Sequence, residues 1–281
     1  MIDQSKALFW NSWSFRNADG IYALLKQHSD ADIFCLTEVT DIDEKEIIKN
    51  GHNLAYTGLA SGENAAQVDN LAQLRSRFGD SREISYMTAD YRKWKCLETG
   101  STFNGVGFGS ALLVRSDVAI VDSGHEVLKF EDENIKSRVL QWIVYTKRET
   151  CYLLAHLHGA WIKGNTKGDH EVRTQQSLLV RLALVRLANM YDVDKIVFGG
   201  DFNLDINTNA LTLMEGEHYR NLIKEYGVTN TRTVAYRNFG VEGESMYADY
   251  VLVSKNVTVH SFEVADEVLA SDHAALIVTF S

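Results

Sequence analysis

The stretch from Ile196 to Asp205 reads IVFGGDFNLD: an apolar run, two glycines, then a carboxylate and an amide two residues apart at Asp201 and Asn203. The same pattern, a polar group where an apolar run stops, recurs along the chain. Asn11 follows ALFW, Glu38 follows DIFCLT and His158 follows YLLAHL. Asp249 lies in MYADYVLV, and Asp272 and His273 precede AALIVTF. These residue types suit one kind of chemistry. Glu38 with an aspartate can hold a hard cation through oxygen, and Mg²⁺ fits because it takes few carboxylates and fills its octahedron with water and substrate phosphate. Such an ion polarises a phosphoryl oxygen and offsets charge on a leaving group. His273 suits a general base with a carboxylate orienting its ring. His158 and Asn203 can donate to oxygens that gain charge in a transition state, and Asp201 can orient or deprotonate an attacking water.

Taken singly, each residue has a plainer reading. Asp201 and Asn203 after Gly-Gly form a turn, and so does Asn11. Glu38 is a strand-end surface acid, Asp249 a strand acid in a salt bridge, and Ser271-Asp272 a helix cap. His156 and His158 share a strand face, where a histidine is commonly structural. Trp161 and Lys163, after HLHGA, read as surface or substrate-side residues. Six chain-distant sites of matching chemistry, each at a strand end, argue for one shared site, since strand ends on a rigid sheet are where such groups are carried.

The elements that must position them follow from periodicity. Strands are expected over 6–10, 32–36, 106–114, 118–121, 138–146, 151–157, 195–198, 247–253, 257–264 and 276–280. Helices are expected after Asn17 and Asp19 with Ile21, Leu24 and Leu25 inward, and over 41–49, 169–191 and 219–226, with loop and a short helix over 58–80. The two glycines after Phe198 read as a hinge that turns the chain at a strand end. Paired strands apolar on both faces, interleaved with helices, predict two stacked mixed sheets with helices outside. No linker or composition break divides the chain, so residues 1–281 read as a single domain.

Composition narrows the partners. The net charge is −10, which excludes binding of nucleic acid by bulk charge and leaves local contacts or a bridging cation. Arg75 to Arg82, and Tyr91 to Lys95 (YRKWK), could serve single-strand contacts or form a solvated face. Cys35, Cys96 and Cys151 are scattered, which fits free thiols in a reducing, cytoplasmic setting and gives no support to a zinc site. No signal peptide, membrane-spanning run or protein-partner motif is evident. There is no proline, so turns and helix ends fall to Gly, Asn and Asp.

In this order, Asn11, LTE with Glu38, LHG with His158, GDFN with Asp201 and Asn203, ADY with Asp249 and SDH with Asp272 and His273 resemble the endonuclease/exonuclease/phosphatase superfamily. The likeness runs over essentially the whole chain, with GDFN and SDH its most specific parts. The resemblance implies a four-layer α/β/β/α sandwich and metal-dependent hydrolysis of a phosphoester. It implies Mg²⁺, with Mn²⁺ as the alternative ion, on Glu38 with Asn11 beside it and Asp272 near. It assigns Asp201 to orienting the nucleophile, Asn203 to contacting phosphate, His158 to phosphate or leaving group (in preference to His156, because the family's histidine falls at the strand end before a small residue), and His273 to the base paired with Asp249. Arg138, opening SRVLQWI, resembles a phosphate-side arginine of the family. The chain departs from the family at Thr37, where Gln is common, and at Ala275, where proline is common; neither touches the ligand set. The expected activity is that of a phosphodiesterase or nuclease. A phosphomonoesterase on a lipid or sugar phosphate, and a non-catalytic binding protein of the same fold, are the alternatives.

Overall fold

Period-two alternation is visible from the first strand. In β1 (Ser5–Asn11), Ala7 and Phe9 enter one core while Leu8 and Trp10 enter another, and all four are buried. A strand apolar on both faces needs cover on both, and two sheets with outer helices provide it. The computed structural model describes residues 4–41, 55–56, 66–67, 69–95, 102–131, 137–162, 164, 167–237 and 245–281. The expected helix over 41–49, most of the 58–68 loop, Cys96 and Lys163 lie outside the described residues, as do the side chains of Tyr91 to Lys95.

The strands continue as β2 (Ile33–Asp41), a small β3 (Ala55–Tyr56) and β4 (Ala66–Gln67) hairpin, β5 (Arg82–Lys95), β6 (Thr102–Arg115) and β7 (Ala119–Leu128). Then come β8 (Arg138–Lys147), β9 (Thr150–His158), β10 (Lys195–Asp201), β11 (Tyr219–Asn221), β12 (Asp249–Ser254), β13 (Val259–Ala265) and β14 (Ala275–Phe280). One six-stranded sheet has the order β13-β14-β1-β2-β6-β5, the other β11-β12-β10-β9-β8-β7. Each holds one parallel pair near its centre, β1 with β2 and β9 with β10, flanked by antiparallel neighbours. Phe9, Ile33 and Cys35 pack with Leu154, Val197 and Val251 between the sheets.

Helices α1 (Ala18–Gln27) and α2 (Asn70–Phe78) cover the outer face of the first sheet, with Ile21, Leu25, Leu71 and Leu74 against Leu8, Phe34 and Leu113. Asn17 caps α1 by accepting from the Gly20 amide, as its sequence suggests. Helix α3 (Glu171–Tyr191), with α4 (Asn209–Glu215) and α5 (Leu222–Glu225), covers the second sheet; α6 (Val234–Arg237) is a single turn. The result is the α/β/β/α arrangement expected.

Several expectations are corrected. Strand β5 was not anticipated: among the described residues it is an edge strand paired with β6 alone, rich in charged residues, so no apolar run marks it. Residues 219–226 divide into β11 and α5. The segment after Ser271 leads into β14, the strand expected over 276–280, which removes the plainer helix-cap reading of Ser271-Asp272. Strand β2 continues past Glu38 because a bulge against β6 absorbs that residue. The Gly-Gly pair is no hinge either, since β10 runs straight through it to Asp201. A Cβ on Gly199 would lie 2.8 Å from Phe9 Cδ1 in the facing sheet, and one on Gly200 would lie 2.3 Å from the Leu157 carbonyl. The glycines let β10 approach β9 and the opposite sheet closely.

Candidate active site

The topology brings the polar strand ends to one rim. Asn11 closes β1 and pairs with Thr37 of β2, next to Glu38. Across the sandwich, His158 closes β9 opposite Asp201, which closes β10, and Asp249 opens β12 opposite Asp201. His273 stands two residues before β14, the antiparallel neighbour of β1. The carboxyl ends of both parallel pairs thus face each other, with the antiparallel neighbours supplying Asp249 and His273.

Backbone strain aims two of the groups. Glu38, in the β2 bulge, has φ 58°, and Asn203, just past β10, has φ 53°. A positive φ is rare outside glycine, more so for glutamate than for asparagine, and tends to mark functional positions. Asp201 stabilises the second conformation by accepting from the Asn203 amide at 2.9 Å, while Asn203 Nδ2 donates to the Gly159 carbonyl at 3.2 Å.

The side chains form one connected cluster. Asn11 Nδ2 donates to Glu38 Oε1 at 3.2 Å and to Asp201 Oδ2 at 3.0 Å, so the amide bridges carboxylates from the two sheets. Its oxygen accepts from the Trp13 amide at 3.0 Å. His158 Nε2 lies 3.8 Å from Glu38 Oε1 and 3.7 Å from Asp201 Oδ2. His273 Nε2 lies 3.6 Å from Asp201 Oδ2 and 3.8 Å from Asp272 Oδ1. On its other side, His273 Nδ1 donates to Asp249 at 2.8 and 3.0 Å. The segment is tied down further: the His273 carbonyl accepts from Trp10 Nε1 at 2.9 Å, and Ser271 Oγ donates to the Asn11 carbonyl at 2.7 Å.

The electrostatics follow from burial in company. Burial alone would raise the Asp201 carboxyl, but His273, His158, Arg232 and the Asn11 hydrogen bond outweigh it and hold the group at about 2 against the usual 3.8. Burial and Arg232 pull the His273 imidazole down, yet Asp249, Asp272 and Asp201 together lift it above its ordinary 6.5. His156 differs. It is fully buried, bonded to Gln141 Oε1 at 2.9 Å, and burial drops it to about 3, so it stays a neutral structural group.

Asp201, Asp249 and His273 offer ligand atoms within 4.8 Å of one another. Both Asp249 oxygens, however, face the His273 ring and are engaged there. Glu38, Asp201 and Asp272 are the carboxylates left facing the rim. The buried Asp272 Oδ1 has no hydrogen-bond partner among the described residues. That oxygen-rich set fits a hard cation. Arg138 is buried and opens β8, two residues before the Leu140–Leu157 pair, at the same sheet end as His158. Trp161 is 61% exposed. The strand-end rule passes over Arg232, which donates to both Asp272 and His273; no apolar run precedes it in TNTRT.

Residues 8–273 match the model of the Endonuclease/Exonuclease/phosphatase family. No curated protein matches by sequence. Among solved structures, the chain is similar to the mannosyl-6-phosphatase of Bacteroides thetaiotaomicron (15% identity, TM-score 0.67, 99% of each chain covered). It is similar to D. rerio TDP2 complexed with a single strand DNA product (17% identity, TM-score 0.66, 99% of each chain). It is also similar to the human Nocturnin catalytic domain with a bound sulfate anion (17% identity, TM-score 0.64, 99% of this chain and 93% of that one).

Proposed function

Because this chain belongs to the Endonuclease/Exonuclease/phosphatase family, we propose that it is a metal-dependent phosphoester hydrolase, acting foremost on phosphodiesters, nucleic acid among them. One observation carries the reading. His273 is held by Asp249 through Nδ1 at 2.8 Å, while its Nε2 faces Asp201, and Asn11 ties Asp201 to Glu38 across the sheets. A base, its orienting acid and a cation-binding carboxylate therefore border one space.

Each residue takes a role from that geometry. Asp249 fixes the imidazole so that Nε2 presents its lone pair. Asp201, ionised, orients a water toward phosphorus. The water oxygen forms the new bond to phosphorus and its proton passes to His273 Nε2; the ester P–O bond breaks with its electron pair on the leaving oxygen, which takes a proton from solvent water. His158 and Asn203 border the space where non-bridging and leaving oxygens gain charge, and donate to them. Arg138, at the same sheet end as His158, keeps only the phosphate-side role that the resemblance suggests. A Mg²⁺ or Mn²⁺ ion on Glu38, with Asn11 beside it and Asp272 near, would supply charge neutralisation at the phosphoryl and leaving oxygens.

A second reading, a phosphomonoesterase on a lipid or sugar phosphate, is favoured by the net charge of −10, which suits small substrates better than polyanions, and by the mannosyl-6-phosphatase among the similar structures. A panel of bis-(p-nitrophenyl) phosphate, p-nitrophenyl phosphate, single-stranded DNA, RNA and lipid phosphates, each with Mg²⁺, Mn²⁺ or EDTA, separates the two. Diester cleavage lost in EDTA and in Asp201→Ala supports the first. Release from monoesters alone moves the assignment to the second, and silence on every substrate overturns both.

A further inference from the structure

The segment carrying Arg232 is built against the base. Thr231 Oγ1 accepts from the Ala248 and Asp249 amides at 2.9 and 3.1 Å. The Ala274 amide donates to the Thr231 carbonyl at 3.0 Å, and the Thr233 amide to the Asp272 carbonyl at 3.1 Å, so Arg232 and His273 form a β-bridge. The backbone of Arg232 is thereby fixed beside both Asp249 and His273.

Its side chain is only 6% exposed. Arg232 Nη1 donates to Asp272 Oδ2 at 2.9 Å and to His273 Nε2 at 2.5 Å. The guanidinium lies over the Tyr236 ring at 4.3 Å, and Lys167 Nζ lies 4.6 Å from the same ring. Lys167 Nζ is itself anchored to the Ser245 carbonyl at 2.5 Å. Within this ion pair, Arg232 Nε and Asp272 Oδ1 are both buried and have no hydrogen-bond partner among the described residues.

Two facts conflict unless something else enters. An imidazole whose Nε2 lone pair already accepts from a guanidinium cannot take a proton from water. A buried guanidinium, whose fork suits two oxygens of one phosphate, is incompletely bonded. A phosphoryl group resolves both. We propose that Arg232 is a phosphate-binding residue of this site, whose guanidinium exchanges His273 Nε2 for a non-bridging phosphoryl oxygen when substrate binds and so frees the base. The Tyr236 ring supports the guanidinium plane beside the phosphate. The inference rests on the hydrolase reading above and adds to it a residue that couples substrate binding to release of the base.

The test uses inorganic phosphate as the probe, as a competitive inhibitor of p-nitrophenyl ester hydrolysis in Mg²⁺, with wild type, Arg232→Ala and Arg232→Lys. A lost charged hydrogen bond weakens binding by roughly tenfold to a hundredfold. Arg232→Ala should raise the phosphate inhibition constant and KM by that factor. Free guanidinium should bring the raised phosphate inhibition constant and KM of Arg232→Ala part of the way back and leave those of wild type unchanged. Arg232→Lys should keep an intermediate affinity. An inhibition constant within twofold of wild type, with no guanidinium rescue, overturns the inference and leaves Arg232 a packing residue. Should Arg232→Ala melt far below wild type, Arg232→Lys and Arg232→Gln are judged on the same readout. Absence of wild-type turnover on every ester overturns the hydrolase reading instead; calorimetry of phosphate binding to wild type and Arg232→Gln then decides this inference, equal or absent affinity counting against it.

Discussion

Asp249 spends both oxygens on one imidazole nitrogen, and its removal has a signed consequence. In the role proposed for it, His273 must be neutral to accept a proton, and it is lifted above 6.5, with Asp249 the foremost of the carboxylates that raise it. Activity should therefore fall as pH drops through a limb above 6.5. In Asp249→Asn that limb should move to lower pH while turnover falls on the order of 10²-fold or more through lost orientation of the ring; pH profiles of kcat/KM check both. His158→Ala and Asn203→Ala, each removing one donor to a charged oxygen, should cost about 10²–10³ in kcat, measured on a p-nitrophenyl ester. At this scale the sequence was informative where a polar residue ends an apolar run, which holds for Asn11, Glu38, His158, Asp201 and Asn203. It was silent on Arg232, which is positioned by backbone pairing with His273 and not by its own neighbours in the chain.

At the scale of elements, the close approach of β10 to β9 depends on Gly200, with φ 125° and no room for a Cβ beside the Leu157 carbonyl. Gly200→Ala should destabilise the fold by roughly 1–3 kcal/mol through overpacking, seen as a lower denaturation midpoint. It should also depress turnover, because Asp201 is the next residue. The core strands were legible because both their faces are apolar and buried, as in β1, β9 and β14. Strand β5 was not, because an edge strand can carry charge along its length. Strand β10 was cut short because glycine carries no apolar signal, although here the missing side chain is what lets the strand stay in register.

At the scale of the whole molecule, the two sheets meet at a rim where Glu38, Asp201, Asp249 and Asp272 gather within a chain of net charge −10. Such a concentration of carboxylates should be relieved by a divalent cation. Saturating Mg²⁺ should raise the melting temperature of wild type, since an ion that binds only the native state contributes about 2.7 kcal/mol at a hundred times its Kd; in Glu38→Gln the rise should shrink or vanish. No described helix is long and apolar enough to cross a membrane, and Cys35 and Cys151 are free thiols. The layered architecture could be anticipated from the alternation of strands and helices. The convergence of six segments on one rim could not be read from any one of them, since it depends on the order of strands within each sheet. The most direct measurement is phosphoester turnover in Mg²⁺ by wild type beside Glu38→Gln, Asp201→Ala and His273→Ala, each verified as folded by circular dichroism. Turnover by wild type that collapses on the order of 10²-fold or more in all three is the predicted result. Wild-type turnover that survives any one of these changes intact would contradict the claim that the three groups serve a single phosphoryl centre.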